Sequence, residues 1–220
     1  MSDKDEIEQK VAEFLLQIKA IKLQPNNPFT WASGWKSPIY CDNRVTLSQP
    51  SIRTYIRQKL ASLVQEEYGS VSVIAGVATA GIPQGVLVAQ ELGLPFIYVR
   101  SSAKDHGKGN LIEGEFSEGQ RVVVVEDLIS TGNSSLQAVK ALRTAGLEVA
   151  GLVAIFDYGF DAATENFKNA KCRFSTLSNY STLIEYAAKH SFVSADDLKL
   201  LQQWRENPSE WGNSVHQTTV

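Results

Sequence analysis

The chain has 220 residues, 43% of them hydrophobic and 20% charged, with a formal net charge of −3. Those values suit one buried core, or a core with a small appendage, in a soluble globular protein. They exclude a broad basic footprint for nucleic acid, and no apolar run approaches the ~20 residues of a membrane-spanning helix. The opening residues, MSDKDEIEQK, are polar and mixed in charge, without the hydrophobic segment of a signal peptide. Only two cysteines occur, Cys41 and Cys172. Neither a disulfide framework nor a zinc site is expected, and a reducing cytoplasm is the expected location.

In chain order, Ile7, Val11, Phe14, Leu15 and Ile18 recur at helical spacing, which predicts an amphipathic helix over the first twenty residues. From Pro25 to Arg44 turn residues alternate with aromatics, and a short hairpin or ordered loop is expected. Pro50 opens a second helical pattern through Ile52, Tyr55, Ile56, Leu60, Leu63 and Val64, with Gly69 placed to end it. Beyond Val71 the texture changes. The compact apolar runs VSVIAGVA, PFIYVR, VVVVED and EVAGLVAIFDYG, with CRFSTLS as a further candidate, are separated by helical stretches such as GIPQGVLVAQELG and SSLQAVKALRTAG. Apolar strands alternating with helices predict a mostly parallel sheet covered on both faces, an α/β fold. The stretches STLIEYAAKH and SADDLKLLQQWREN read as helices packing on its edge. The expected organisation is a helix and substrate-covering hood over residues 1–45, an α/β core with C-terminal helices over 46–208, and a loosely held tail over 209–220.

The stretch RVVVVEDLISTGNSS, Arg121 to Ser135, carries the chemistry. A buried strand is expected to end in adjacent carboxylates, Glu126 and Asp127, on the sheet edge where open α/β sheets bind ligands. Carboxylates accept hydrogen bonds only, so the vicinal hydroxyls of a ribose are natural donors to them. After them come Ser130, Thr131, Gly132, Asn133, Ser134 and Ser135. A helix starting near Asn133 would turn its unpaired amides and positive dipole end toward a phosphate. The Gly-Lys-Ser/Thr of a P-loop and the G-x-G-x-x-G of a dinucleotide fold are both absent.

In this order of residues the chain resembles the type I phosphoribosyltransferases, whose phosphoribosyl-pyrophosphate (PRPP) motif has the same layout. Two further segments narrow the resemblance to the orotate phosphoribosyltransferases. One is VRSSAKDHGKGNLIEGEF, with Arg100, Lys104, His106 and Lys108 among glycines, long enough to serve as a lid. The other is FTWASGWKSPIYCDNR, with a Ser-Gly-x-Lys-Ser-Pro core. The resemblance implies the type I fold with a small N-terminal hood, and transfer of a phosphoribosyl group from PRPP to orotate.

It also implies roles. The run Glu126, Asp127, Leu128, Ile129, Ser130, Thr131, Gly132, Asn133 and Ser134 holds PRPP, its carboxylates on the ribose hydroxyls and its turn on the 5-phosphate. Arg100, Lys104 and His106 engage the pyrophosphate, with the lid supplied by the other subunit of a homodimer. Lys104, His106 and Asp127 carry the catalysis, and His106 is the lid group able to titrate near neutral pH. Ser130 and Lys36 meet orotate, and Ala75 to Pro83 form the pyrophosphate-side loop. Mg²⁺ is the implied cofactor, bridging substrate oxygens, with no protein metal ligands expected. Neither nucleic acid nor a membrane is an expected partner. Ala32, Ala80, Ser101 and Tyr158 stand where some members carry a cation. Trp31, Trp35 and Tyr40 either cover the base or belong to the core. The rival readings are a transferase acting on a purine base and a PRPP-sensing regulator without activity.

Overall fold

Period-two burial sets the centre of the molecule. The structure is a computed structural model and describes residues 2–31, 33–102 and 111–211. Helix α1 (Asp3–Gln17) starts on a reciprocal cap, with the Asp5 amide donating to Ser2 Oγ and the Ser2 amide donating to the Asp5 carboxylate. Two short antiparallel pairs follow. Strand β1 (Ile21–Leu23) pairs with β4 (Ile39–Cys41), and between them β2 (Phe29–Thr30) pairs with β3 (Lys36–Ser37). A 3₁₀ turn, Asn43–Ser48, leads to α2 (Pro50–Tyr68), which has proline in its first turn and stops at Gly69.

The rest is a wound α/β unit. In chain order come β5 (Val73–Val77), α3 (Gly81–Leu92), β6 (Phe96–Val99), β7 (Ile112–Glu113), β8 (Arg121–Ile129), α4 (Asn133–Thr144), β9 (Glu148–Asp157), α5 (Asp161–Asn169) and β10 (Phe174–Asn179). Helices α6 (Tyr180–Lys189) and α7 (Ala195–Glu206) close the described chain. The six-stranded sheet has the order β10-β9-β8-β5-β6-β7, parallel throughout except for β7 at one edge.

Each central strand serves two cores. Val123 and Val125 of β8 and Val153 and Ile155 of β9 join the core built with α1, α2, α6 and α7. Val122 and Val124 of β8 and Leu152 and Ala154 of β9 join the core under α4 and α5. Full burial of each such side chain favours folding by about 1.5–3 kcal/mol, so the valine run specifies both the strand and its place in mid-sheet. Helix α1 lies against β10 and α6, at the opposite end of the sheet from β7. Trp211, within the stretch expected as a tail, is buried in the first core, and its amide donates to the Asn207 carbonyl. Among the described residues no helix is long and apolar enough to cross a membrane.

Candidate active site

All five parallel strands point their carboxyl ends the same way, so the segments after β5, β8 and β9 leave from one edge of the sheet. The expectation that β8 stops at its carboxylates is corrected. The strand runs on to Ile129, because β9 keeps it paired through Leu128 with Phe156 and Ile129 with Asp157. Its other neighbour, β5, pairs only as far as Gly76 with Val125. Glu126 and Asp127 therefore lie on a strand supported from one side and open on the other.

Glu126 is buried, 5% exposed. Its Oε1 accepts the Asp127 amide at 3.0 Å, and its Oε2 accepts the Ser135 hydroxyl at 3.2 Å. Burial pushes the Glu126 carboxyl well above its ordinary value, and the neighbouring charge of Asp127 adds to the rise. Asp127 is less enclosed. Burial raises it too, while hydrogen bonds and the Arg44 guanidinium pull the other way. Both carboxyls are thus shifted upward, with burial the first cause in each.

The remaining predicted residues divide into groups. Leu128 packs on the first core and Ile129 is fully buried, its carbonyl accepting the Tyr158 amide at 3.1 Å. Ser130 and Thr131 are half-buried in the turn, and the Thr131 carbonyl accepts from Asn166 Nδ2 at 3.0 Å. Gly132 caps α4 in the left-handed region with φ 79°, and a Cβ there would lie 2.6 Å from the Phe167 ring. No side chain caps α4, so its first-turn amides remain available to an anion. Asn133 and Ser134 are exposed beside them.

Arg100 closes β6, where its Nη1 lies 3.5 Å from a carboxylate oxygen of Glu113 on β7. Lys36 donates from Nζ to Thr30 Oγ1 at 2.8 Å across the β2–β3 pair. Lys104, His106 and Lys108, together with Ala32, lie outside the described residues. Ala80 stands immediately before α3, Ser101 follows Arg100 exposed to solvent, and Tyr158 is buried just after β9. The Tyr158 ring packs against Trp31, which stacks on Trp35 on its other side, while Tyr40 is 39% exposed. Trp31 packs on the first core, and the Tyr40 ring packs against Phe29 with centroids 5.5 Å apart.

Three contributors were not assigned from sequence. Ser135, counted there among loop hydroxyls, turns inward to Glu126. Gly81 opens α3 so close to β8 that a Cβ would lie 2.5 Å from the Val125 carbonyl and 3.3 Å from the Glu126 Cα. Asn43, fully buried, donates from Nδ2 to the Asp127 carbonyl at 2.7 Å. Their only sequence signal is residue size and polarity, which does not reveal a contact between segments, least of all one 84 positions apart as for Asn43 and Asp127.

Residues 47–187 match the family described as the phosphoribosyl transferase domain. The chain is 58% identical over 205 residues to an orotate phosphoribosyltransferase of Phocaeicola vulgatus, covering 93% of this chain and 97% of that one. The solved orotate phosphoribosyltransferase of Aeropyrum pernix superposes with a TM-score of 0.73 at 29% identity, over 84% of this chain and 99% of that one. That of Mycobacterium tuberculosis in complex with PRPP superposes with a TM-score of 0.63 at 26% identity, over 80% of this chain and 98% of that one. With a buried carboxylate pair on β8, an uncapped helix after it and this degree of likeness along nearly its whole length, the chain belongs to the orotate phosphoribosyltransferase family.

Proposed function

We infer that the protein transfers the 5-phosphoribosyl group from PRPP to orotate, forming orotidine 5′-monophosphate and pyrophosphate. The observation that carries this reading is the Glu126–Asp127 pair beside the open N-terminus of α4, in a chain so similar to orotate phosphoribosyltransferases. Asp127 and Glu126 accept the ribose hydroxyls, and the Ser130–Ser134 turn with the first amides of α4 holds the 5-phosphate. Arg100, with Lys104 and His106, neutralises the departing pyrophosphate. Lys36 and Ser130 contact orotate. Residues 1–45 supply the hood and 46–208 the core, and the tail over 209–220 is anchored near its start by Trp211 in the first core.

The ring nitrogen of orotate displaces pyrophosphate at the anomeric carbon, which develops oxocarbenium character. Rate then comes from alignment and from charge placed where it develops, with no covalent enzyme intermediate. The carboxylates beneath the ribose stabilise the positive sugar, and the cations stabilise the leaving group.

Mg²⁺ fits this donor set. Mg²⁺ characteristically uses one or two carboxylates with water and substrate phosphates, and Glu126 and Asp127 stand side by side. Asp127 and Glu126 would hold it, through the ribose hydroxyls. When bound, the ion supplies charge neutralisation on the pyrophosphate oxygens. The same reading includes a homodimer whose lid crosses to the neighbouring site, and a cytoplasmic location, which the free thiols of Cys41 and Cys172 favour.

The test is an assay of the purified protein with PRPP, Mg²⁺ and a panel of bases, followed by ultraviolet absorbance. Orotate should be consumed. Turnover with adenine or hypoxanthine alone would overturn the choice of base, and no turnover at all would overturn the enzyme.

A further inference from the structure

Among the described residues, three of the seven buried polar side chains, Asn43, Thr46 and Gln84, form one chain of hydrogen bonds that ends on Asp127. Asp127 stands at the point where β8 has lost its β5 neighbour, and it is absent from the pairing registers with both β5 and β9. Its main chain is satisfied by side chains instead. The amide donates to Glu126 Oε1 at 3.0 Å, and the carbonyl accepts Asn43 Nδ2 at 2.7 Å.

The orientation of Asn43 is determined by its partners. A main-chain carbonyl only accepts, so the amide nitrogen must face Asp127. The other end, Oδ1, takes the Cys41 thiol at 3.4 Å. The Asn43 carbonyl accepts the Thr46 hydroxyl at 2.6 Å, and Thr46 Oγ1 accepts Gln84 Nε2 at 3.2 Å. Gln84 sits on α3, one turn beyond the Gly81 contact with Glu126. The chain of bonds thus joins the turn after the hood strands, the carboxylate strand and the helix after the pyrophosphate-side loop.

We propose that Asn43, held by Thr46 and Gln84, is a positioning residue that replaces the missing strand neighbour of Asp127 and sets the carboxylate pair for the ribose. The proposal rests on the function inferred above and adds to it a component outside the PRPP motif. It ties the acceptor-side segment to the donor-side carboxylates through buried bonds that water cannot replace.

Steady-state kinetics per folded molecule provide the test, with thermal melting run alongside. Asn43→Ala should lower kcat/KM for PRPP about tenfold or more, the loss expected for one buried hydrogen bond to main chain, with KM for orotate within about twofold. Should Asn43→Ala fail to fold, Thr46 decides. Thr46→Val keeps the shape and removes the hydroxyl, and should show the same selective loss in weaker form. Thr46→Ser keeps the hydroxyl and should restore it. Unchanged PRPP kinetics, equal losses for both substrates, or Thr46→Ser behaving like Thr46→Val would overturn the positioning role. Wild-type protein without transfer would overturn both this role and the function on which it rests.

Discussion

Glu126 is expensive for the fold and useful to the reaction for the same reason. Its carboxyl is raised because charge is disfavoured in the buried site, so the folded state holds a proton that the unfolded chain releases. The sign follows. Between the unfolded and folded values of this acid the native state binds more protons, so this group lowers stability as pH rises through that window. Glu126→Gln removes the titration while keeping the size and the acceptor. Its melting temperature should exceed that of wild type at pH 8 by more than at pH 5, with about 2–4 °C for each kcal/mol recovered. Its turnover should fall about a hundredfold or more, since a charge beneath the developing cation is lost. A melting difference independent of pH would reject the buried charge. The two acids were legible in the sequence because adjacent carboxylates after a valine run are rare. Their protonation was not, since it depends on Ser135, on the approach of Gly81 and on depth, none of which has a local pattern.

At the scale of elements, the strong periodic signals were readable and the weak ones were not. The valine run, the helix opened by Pro50 and the helix starting at Asn133 all follow from local chemistry. Helix α5 escaped because only Ala163 and Phe167 are buried in its nine residues, too short a stripe to stand out. Strand β7 has two residues and exists only through β6. Yet α5 matters to the site, since Phe167 packs beneath Gly132 and Asn166 holds the Thr131 carbonyl. The phosphate turn is thus shaped from behind by a helix that its own sequence does not announce. Gly132→Ala tests that dependence. The left-handed conformation costs an alanine about 1–2 kcal/mol, and the Phe167 ring must also yield. A melting loss of about 2–8 °C is expected together with a raised KM for PRPP. A raised KM for orotate instead would place the turn in the wrong half of the site.

At the scale of the whole molecule, the sheet carries the carboxylates on β8 while the lid cations belong to a separate earlier segment, Arg100 to Lys108. Among the described residues, two cations near the carboxylates are already engaged: Arg100 pairs with Glu113, and Arg44 binds Asp42 through two nitrogens at 2.6 and 2.9 Å. Under the dimeric reading that shortage is resolved by the neighbour, which lends Lys104 and His106 to each site. This arrangement has a numerical consequence. Lys104→Ala and Asp127→Asn homodimers should each be nearly inactive, one lacking its lid cation and the other its carboxylate. When equal amounts are mixed and allowed to exchange, half of the dimers become mixed. Each mixed dimer concentrates both defects in one site and leaves the other site intact, so activity should return to about one quarter of wild type. If the lid instead closes on its own subunit, every site keeps one defect and mixing restores nothing. Regain of activity on mixing, with a time course that follows subunit exchange, therefore separates a shared site from a self-contained one.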